Sequence, residues 1–162
     1  MSNYFTWREA MPVEYDEVKG HLSKNMVGYK TNTGAIYLGK CHDSYIYTMP
    51  MDLLIDNRNE LTIDEANSWL QQANSKEVLG YNDWDLPTGY TSTNELRLFS
   101  EAKENKNEIF KFDPTEFYGS KTQMNENRYY EIFIANGEVS SFNPSKYGAF
   151  FRAVRRSKKL II

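Results

Sequence analysis

The chain has 162 residues, of which 40% are hydrophobic and 15% aromatic, and its formal net charge at pH 7 is -3. A chain of this length commonly folds as one domain and can bury about two thirds of the surface of its unfolded state, so we expect a single domain over residues 1–162. This composition excludes a disordered chain, and the small negative charge gives no general attraction to nucleic acid or to an anionic membrane.

Cys41 is the only cysteine, so no internal disulfide can form, which favours a reducing compartment. Acidic residues stand near the start of the chain, where a signal peptide needs a cationic start and an apolar run. No apolar run reaches the roughly 18 residues of a membrane span. We therefore expect a cytoplasmic protein with no membrane partner.

The first part of the chain predicts an irregular segment over residues 1–25 and then a hairpin. Residues 26–29 and 35–38 are typical of short strands on either side of a turn at Thr31–Gly34. A further strand is predicted over residues 44–48, where Tyr45 and Tyr47 alternate with other residues.

Two capping boxes predict the starts of two helices. In Thr62-Ile63-Asp64-Glu65, the threonine hydroxyl can accept from a backbone N–H while the glutamate reaches back to the cap, and the helix should end near Asn74. The second box is Ser92-Thr93-Asn94-Glu95, and the polar run over residues 103–107 should end its helix.

The last third of the chain is strand-like. Tyr130, Ile132 and Ile134 alternate with other residues before Asn136-Gly137, which predicts a type I′ hairpin turn and a return strand over residues 138–142. A final strand over residues 149–155 would join the same sheet. We therefore expect an α+β fold in which two helices pack on a twisted, mainly antiparallel sheet.

Four segments in fixed order suggest a family. They are Gly80-Tyr81-Asn82-Asp83-Trp84-Asp85-Leu86-Pro87-Thr88, Asn94-Glu95-Leu96, Phe117-Tyr118-Gly119-Ser120 and Phe151-Arg152-Ala153-Val154-Arg155. Over about residues 62–156 the chain resembles the Lcl-type C-terminal domain family of bacteria and phages, and this resemblance implies a fold like that of C-type lectins. The chain departs from the family pattern in two places. Asp85 stands where the family usually has arginine, and Tyr118-Gly119-Ser120-Lys121 replaces a strand of the Trp-Ser-Ser-Thr type.

The motif residues also suit structural roles on physical grounds. Trp84, Leu86 and Pro87 combine apolar bulk with a rigid backbone, which favours a buried linker between the helices. Arg152 alternates with Phe151 and Ala153, so we expect it to anchor the core by pairing with an interior carboxylate or carbonyls. Arg155 belongs to the same terminal strand motif.

The sequence offers few residues for metal, cofactor or nucleophilic chemistry. The nitrogen and sulfur donors are His21, His42 and Cys41, and Cys41 and His42 are adjacent, so on a strand they would point to opposite faces. Formylglycine-generating enzymes, which resemble this fold, need two cysteines, and the sugar-binding motifs of calcium-dependent lectins are missing. We therefore expect no metal site, no cofactor and no catalytic residues.

The leading hypothesis is a non-catalytic recognition module that binds an intracellular protein. Interfaces favour tyrosine and arginine among adaptable polar side chains, and the segment from Tyr118 to Tyr130 has this composition. Its candidate binding residues are Tyr118, Lys121, Gln123, Arg128, Tyr129 and Tyr130. One form of this hypothesis, implied by the resemblance alone, is a phage or mobile-element protein that inhibits a host complex.

Three alternatives stay open. A polyanion or sulfated-glycan binder would use the basic C-terminal segment and requires one exposed patch of Lys121, Arg128, Arg152, Arg155 and Arg156. An enzyme with a carboxylate-based site requires a pocket whose titratable groups perturb each other's pKa. A homodimer could form through a sheet edge.

Overall fold

The computed structural model describes residues 26–90, 93–144 and 148–160, so the predicted irregular segment over residues 1–25 lies outside it. Its elements are, in chain order, β1 (Ile36–Cys41), β2 (Ser44–Thr48), α1 (Ile63–Ser75), a 3₁₀ turn (Val78–Gly80), α2 (Leu96–Phe110), β3 (Phe117–Asn125), β4 (Arg128–Phe133), β5 (Glu138–Phe142) and β6 (Val154–Ser157). The described residues form an α+β fold, which confirms the predicted fold class.

The strands form two three-stranded antiparallel sheets, in the orders β1-β2-β6 and β3-β4-β5. The prediction that the last strand joins the preceding hairpin is therefore wrong. Phe150 does exchange backbone hydrogen bonds with Phe117 and Gly119 of β3, but β6 pairs with β2. The segment over residues 149–157 thus links the two sheets, because Phe150 pairs with β3 and β6 pairs with β2. Arg152 lies between these contacts and is buried in the core.

The first sheet is apolar on both faces. Tyr37 and Tyr47 belong to the core cluster that contains the buried face of α1, whereas Ile36, Leu38 and Ile46 belong to the cluster that contains the buried face of α2. Helices on both faces bury this sheet, which explains its near-continuous run of apolar residues. Helix α2 also contacts β3 and β4, so it holds the second sheet against the first.

The first capping box forms as predicted. The Glu65 backbone N–H donates to Thr62 Oγ1 at 3.2 Å, and the Thr62 N–H donates to Glu65 Oε1 at 3.0 Å. The helix ends at Ser75, one residue beyond the predicted stop.

The prediction of a second capping box is wrong at Glu95, which the structure describes. Glu95 is the N-cap residue of α2, makes no side-chain cap bond and turns its carboxylate to Arg156 instead; Ser92 lies outside the described residues. The polar run does not end the helix, which reaches Phe110 with a distortion at Lys106 (φ -144°). Lys103, Glu104 and Lys106 are good helix formers, and the helix continues past the polar run to bury Phe110 fully.

The hairpin predictions are partly right. The strand over residues 44–48 and the return strand β5 are confirmed. The type I′ turn is wrong, because the register pairs Phe133 with Glu138 and only Gly137 of the connection has positive φ, at 77°. The four-residue connection lets Ile134 leave the ladder and become fully buried.

The predicted first hairpin differs in its first strand. Residues 26–28 form a turn instead of a strand. The backbone still pairs there, since Tyr37 donates to Tyr29 O at 2.8 Å and Thr31 donates to Ala35 O at 2.8 Å. A single bridge between Lys30 and Ile36 replaces the predicted ladder.

Candidate functional site

The segment predicted to bind a partner lies on the β3–β4 hairpin. Between the pairs Gly119–Glu131 and Gln123–Tyr129, β3 has two more residues than β4 and therefore bulges. The Ser120 hydroxyl occupies the bulge and donates to the Tyr130 carbonyl at 2.8 Å. Such bulges re-aim side chains and are common near binding sites.

The bulge also draws a distant loop onto the hairpin. The Lys121 N–H donates to Pro87 O at 2.9 Å, and the Gly89 N–H donates to Thr122 Oγ1 at 3.0 Å. These bonds bring the next residue, Tyr90, against the hairpin, with its ring centroid 5.3 Å from that of Tyr130.

We give the name hairpin surface to four exposed residues, Tyr90, Lys121, Gln123 and Met124, together with Tyr130, on which Tyr90 packs. Tyr90 is 61% exposed and Met124 is 44% exposed, while Tyr130 is half-buried beneath Tyr90. Sequence reasoning missed Tyr90, because it lies 40 residues before Tyr130 and only the bulge contacts bring the two rings together. Met124 falls inside the predicted segment, but its polar neighbours gave no reason to select it.

Tyr118 is not part of this surface, and its assignment as a binding residue is wrong. Its side chain is fully buried among Phe99, Phe112 and other rings of the core. Its hydroxyl donates to Asp52 Oδ2 at 2.7 Å and accepts from the Asp113 N–H at 2.9 Å. Burial, and then the Asp52 charge, raise the pKa of Tyr118 well above its ordinary value, so it is a neutral core residue.

Three further predicted binding residues are engaged within the protein. Lys121 Nζ lies 2.5 Å from Asp85 Oδ2, although its side chain is still 46% exposed. Arg128 donates to the hydroxyl and to the carbonyl oxygen of Ser141, each at 2.7 Å. Tyr129 is half-buried and packs on Phe142. Of this group, Lys121 offers the most free surface.

The predicted linker residues hold the core together. Trp84, Leu86 and Pro87 are buried. The Asn74 side chain bonds both the N–H and the carbonyl of Trp84, at 2.8 and 2.9 Å, and the indole N–H donates to Val78 O at 2.8 Å. These bonds hold the segment that contains Trp84 against the C-terminal end of α1, and Trp84 and Leu86 pack in the first core cluster.

Arg152 is the core anchor that the sequence predicts. Its side chain is 1% exposed and donates to Asp52 at 2.8 Å and to the carbonyls of Phe110 and Lys111. The guanidinium also lies 4.2 Å from the ring centre of Phe112. Burial raises the pKa of Asp52, although the Arg152 charge and the Tyr118 hydroxyl oppose this effect.

Three other basic residues at the C-terminal end, Arg155, Arg156 and Lys158, are paired with carboxylates. Arg155 contacts Asp83 at 2.9 Å and stacks 3.9 Å above the ring of Tyr81. Arg156 contacts Glu95 at 2.6 Å and Asp85 at 2.8 Å, and Lys158 contacts Asp43 at 2.7 Å. The prediction of one exposed basic patch is therefore wrong for Arg152, which is buried. The other C-terminal residues of the predicted patch, Arg155 and Arg156, are in ion pairs.

The Asp85 carboxylate lies between two cations, Lys121 and Arg156. Burial alone would raise its pKa, but hydrogen bonds from Lys121 and Arg156 outweigh this effect and lower the pKa below its ordinary value. The carboxylate thus joins the hairpin to β6 through two cations.

An acidic pocket of about 300 Å³ opens beside the second sheet. Its polar wall comprises Glu60, Glu116, Arg128 and Glu131, and Phe117 and Phe150 form part of its apolar wall. Burial, followed by the charges of Asp113 and Glu60, raises the pKa of Glu116. Burial also raises the pKa of Glu131, while Ser140 and Arg128 oppose that shift.

A second pocket, of about 290 Å³, is lined by Cys41, His42, Lys121 and Arg156 among others. The Cys41 thiol is buried and donates to the Thr93 carbonyl at 3.1 Å. Burial and the charge of Glu95 raise its pKa, which keeps it a thiol and disfavours nucleophilic chemistry.

Residues 26–90, 93–144 and 148–160 contain neither a cluster of metal ligands nor a helix that could span a membrane. No group of three or more His, Cys, Asp or Glu side chains in this part of the chain is arranged to hold a metal ion. No helix within the same ranges has the length and apolar character needed to cross a membrane.

No protein-family model matches the chain, and no curated protein matches its sequence. The resemblance to the Lcl-type family and to C-type lectins therefore remains a prediction from the four sequence segments.

Proposed function

We propose that this protein is a non-catalytic recognition module that binds an intracellular protein through the hairpin surface. The observation that carries the proposal is Tyr90, whose ring is 61% exposed and rests on Tyr130 at the bulged end of a braced sheet. An exposed tyrosine on a rigid support loses little conformational entropy on binding and brings a large contact area, which is why tyrosines dominate interface energies.

The composition of the hairpin surface fits a protein partner. Met124 adds an exposed, adaptable apolar side chain on the same hairpin, and Lys121 and Gln123 add exposed polar side chains. Cys41 is a buried free thiol, so the fold has no need of an oxidising compartment, in keeping with an intracellular partner in a bacterial or phage-infected cell. A phage or mobile-element protein that inhibits a host complex is one form of this proposal.

The alternatives receive less support from the same geometry. A polyanion binder needs free cations, whereas Arg152 is buried and Arg155 and Arg156 are in ion pairs. A carboxylate-based enzyme needs groups that strongly perturb each other, whereas burial is the largest cause of the raised pKa of both Glu116 and Glu131, and the Glu60 charge is the last of the three causes for Glu116. We therefore favour recognition.

The test compares a hairpin variant with a matched surface variant. Tagged wild-type protein, Tyr90→Ala/Met124→Ala and Met51→Ala/Leu54→Ala capture proteins from lysate of the source organism or its host, at low and at high salt. Met51 and Leu54 are 58% and 47% exposed and lie outside the hairpin surface, so they control for the loss of exposed apolar area. A protein that the wild type and the control retain, and the hairpin variant does not, is then purified.

The dissociation constant with this purified protein decides the outcome. We expect the hairpin variant to bind at least about tenfold more weakly, because an interface anchor contributes more than about 1.4 kcal/mol. Equal affinities for the two variants would overturn the proposal. Capture of nucleic acid or sulfated polymer alone, lost as salt rises, would also overturn it and favour the polyanion alternative.

A further inference from the structure

The acidic pocket has walls of two different kinds. Phe117 and Phe150 line it with aromatic carbon, and Phe117 is 38% exposed although one of its sides is stacked on Phe133 at 4.8 Å. The remaining wall includes three carboxylates, Glu60, Glu116 and Glu131. An aromatic wall opposite carboxylates is the combination that binds organic cations, through the ring quadrupole and through charge.

Among the described residues that line the pocket, Arg128 is the only cation, and it is already hydrogen-bonded within the protein. Its Nε donates to the hydroxyl of Ser141 and one Nη donates to the Ser141 carbonyl, both at 2.7 Å, so its guanidinium is held against β5. Its charge acts on Glu131, the most buried of the three carboxylates at 8% exposure. Arg128 therefore does not neutralise the other two.

Glu60 and Glu116 lack a cationic partner within the described part of the chain. The Arg58 guanidinium bonds the backbone carbonyl of Glu60 but places its salt bridge on Glu65. The charged groups acting on Glu116 are Asp113 and Glu60, both of like sign. An unneutralised pair of carboxylates beside aromatic rings leaves a local excess of negative charge that a bound cation would relieve.

We propose that the acidic pocket binds the side-chain cation of a lysine or arginine presented by the protein partner. Its volume of about 300 Å³ is at the small end for ligand pockets and suits one long side chain better than a larger cofactor. The aliphatic stem would pack on Phe117 and Phe150, and the charged group would lie between Glu60 and Glu116. The inference rests on the proposed function for the source of the cation, which is a protein.

The test uses small probes and needs no knowledge of the partner. The full-length, ¹⁵N-labelled protein is titrated with N-acetyl-lysine methylamide, N-acetyl-arginine methylamide and the neutral analogue N-acetyl-norleucine methylamide. We expect saturable shifts of the amide signals of Phe117, Glu131 and Phe150 with one or both cationic probes, and no saturation with norleucine at the same concentrations. The two cationic arms distinguish an ammonium site from a guanidinium site.

Isosteric variants test the proposed charge. Glu60→Gln/Glu116→Gln keeps the shape of the pocket, and we expect it to weaken the cationic probes by at least about fivefold, from two partly exposed charge contacts. Glu104→Gln, an exposed change on α2, should leave binding unchanged. Because both glutamates are at least partly exposed, the double variant should fold normally, and its amide spectrum and unfolding midpoint check this.

Two outcomes would overturn the inference. Equal binding of norleucine and lysine probes would make the pocket a general apolar cleft, and the absence of saturation with every probe would mean that it binds no such group. Either result leaves the hairpin surface intact as a binding site. The two proposals can also be separated in the other direction. If the cationic probes bind the pocket but Tyr90→Ala/Met124→Ala still captures the partner normally, the pocket is supported and the proposed function is overturned.

Discussion

Arg152 and Asp52 lie 100 residues apart in the sequence and are joined by a hydrogen bond and an ion-pair contact, each of 2.8 Å, in an environment that excludes most solvent. The carboxylate also accepts from the buried Tyr118 hydroxyl, and the guanidinium also bonds the two carbonyls at the end of α2. Four separate parts of the chain therefore meet at one ion pair. Its members have nearly all their hydrogen-bonding capacity filled, so loss of one leaves several others without a partner.

We predict that Asp52→Ala destabilises the protein by about 3–5 kcal/mol, because it leaves the buried Arg152 charge without its counter-ion. Urea unfolding followed by tryptophan fluorescence measures the change. The matched control is Asp43→Ala, which removes an ion pair with Lys158 whose side chains are 78% and 72% exposed and should have almost no effect. Similar losses for the two variants would contradict the structural role given to the network.

A second prediction concerns the close packing of β3 on the chain that links the two sheets. A Cβ atom at Gly119 would lie 2.5 Å from Cε1 of Phe151 and 3.2 Å from Cε1 of Phe142. Gly119→Ala should therefore destabilise the protein by about 1–3 kcal/mol, the usual cost of overpacking a core. Adding Phe151→Leu removes the ring that clashes, and the double variant should regain stability relative to the sum of the two single changes. Strict additivity of the two changes would show that the clash is not the cause.

The features that the sequence predicted correctly are those decided locally. Thr62 and Glu65 satisfy each other's backbone groups within one helical turn, so four residues contain the whole argument. Trp84 was expected to be buried because its large apolar side chain lies next to Leu86 and Pro87 in the chain. The burial of Arg152 was expected from its alternation with apolar neighbours, but its partner Asp52, 100 residues away, could not be identified locally.

The errors share a long-range cause. Alternation in β3 and β4 separates the two faces of a strand but does not say that α2 covers the face carrying Tyr118. The second capping box had the right residue types, yet the Glu95 carboxylate bonds Arg156, 61 residues away, at 2.6 Å instead of capping α2. Tyr90 reaches Tyr130 only through a bulge whose contacts involve Pro87 and Gly89. None of these pairings can be read from a local window.

A third prediction tests the capping box. Thr62→Ala should lower the free energy of unfolding by about 1 kcal/mol, since it removes the acceptor of the Glu65 N–H at the start of α1. Thr62→Ser keeps a hydroxyl at the same position and should retain most of the stability. Chemical denaturation of the three proteins under one condition measures this, and equal losses for alanine and serine would show that packing of the threonine methyl group is what matters.

The last prediction concerns acid unfolding. The pKa of Asp85 is lowered in the folded protein, from an ordinary value of 3.8, by its bonds to Lys121 and Arg156. A carboxyl group whose pKa is lower in the folded than in the unfolded state stabilises the fold above its unfolded pKa, and this contribution is lost as the pH falls through the folded pKa. The wild type should therefore exceed Asp85→Asn in stability at neutral pH by an amount that shrinks below about pH 4.

Urea unfolding at a series of pH values from about 7 down to about 3 measures this difference across the ordinary carboxyl range. Glu104→Gln removes an exposed carboxylate of α2 and should leave the difference from the wild type independent of pH. If Asp85→Asn and the wild type differ by a constant amount at every pH, the two cations would have to stabilise the asparagine as well as the carboxylate. The contacts of Asp85 with Lys121 and Arg156 would then stabilise the fold by packing and neutral hydrogen bonds, and not by charge. Lys121 would in that case be available for an ion pair with a partner.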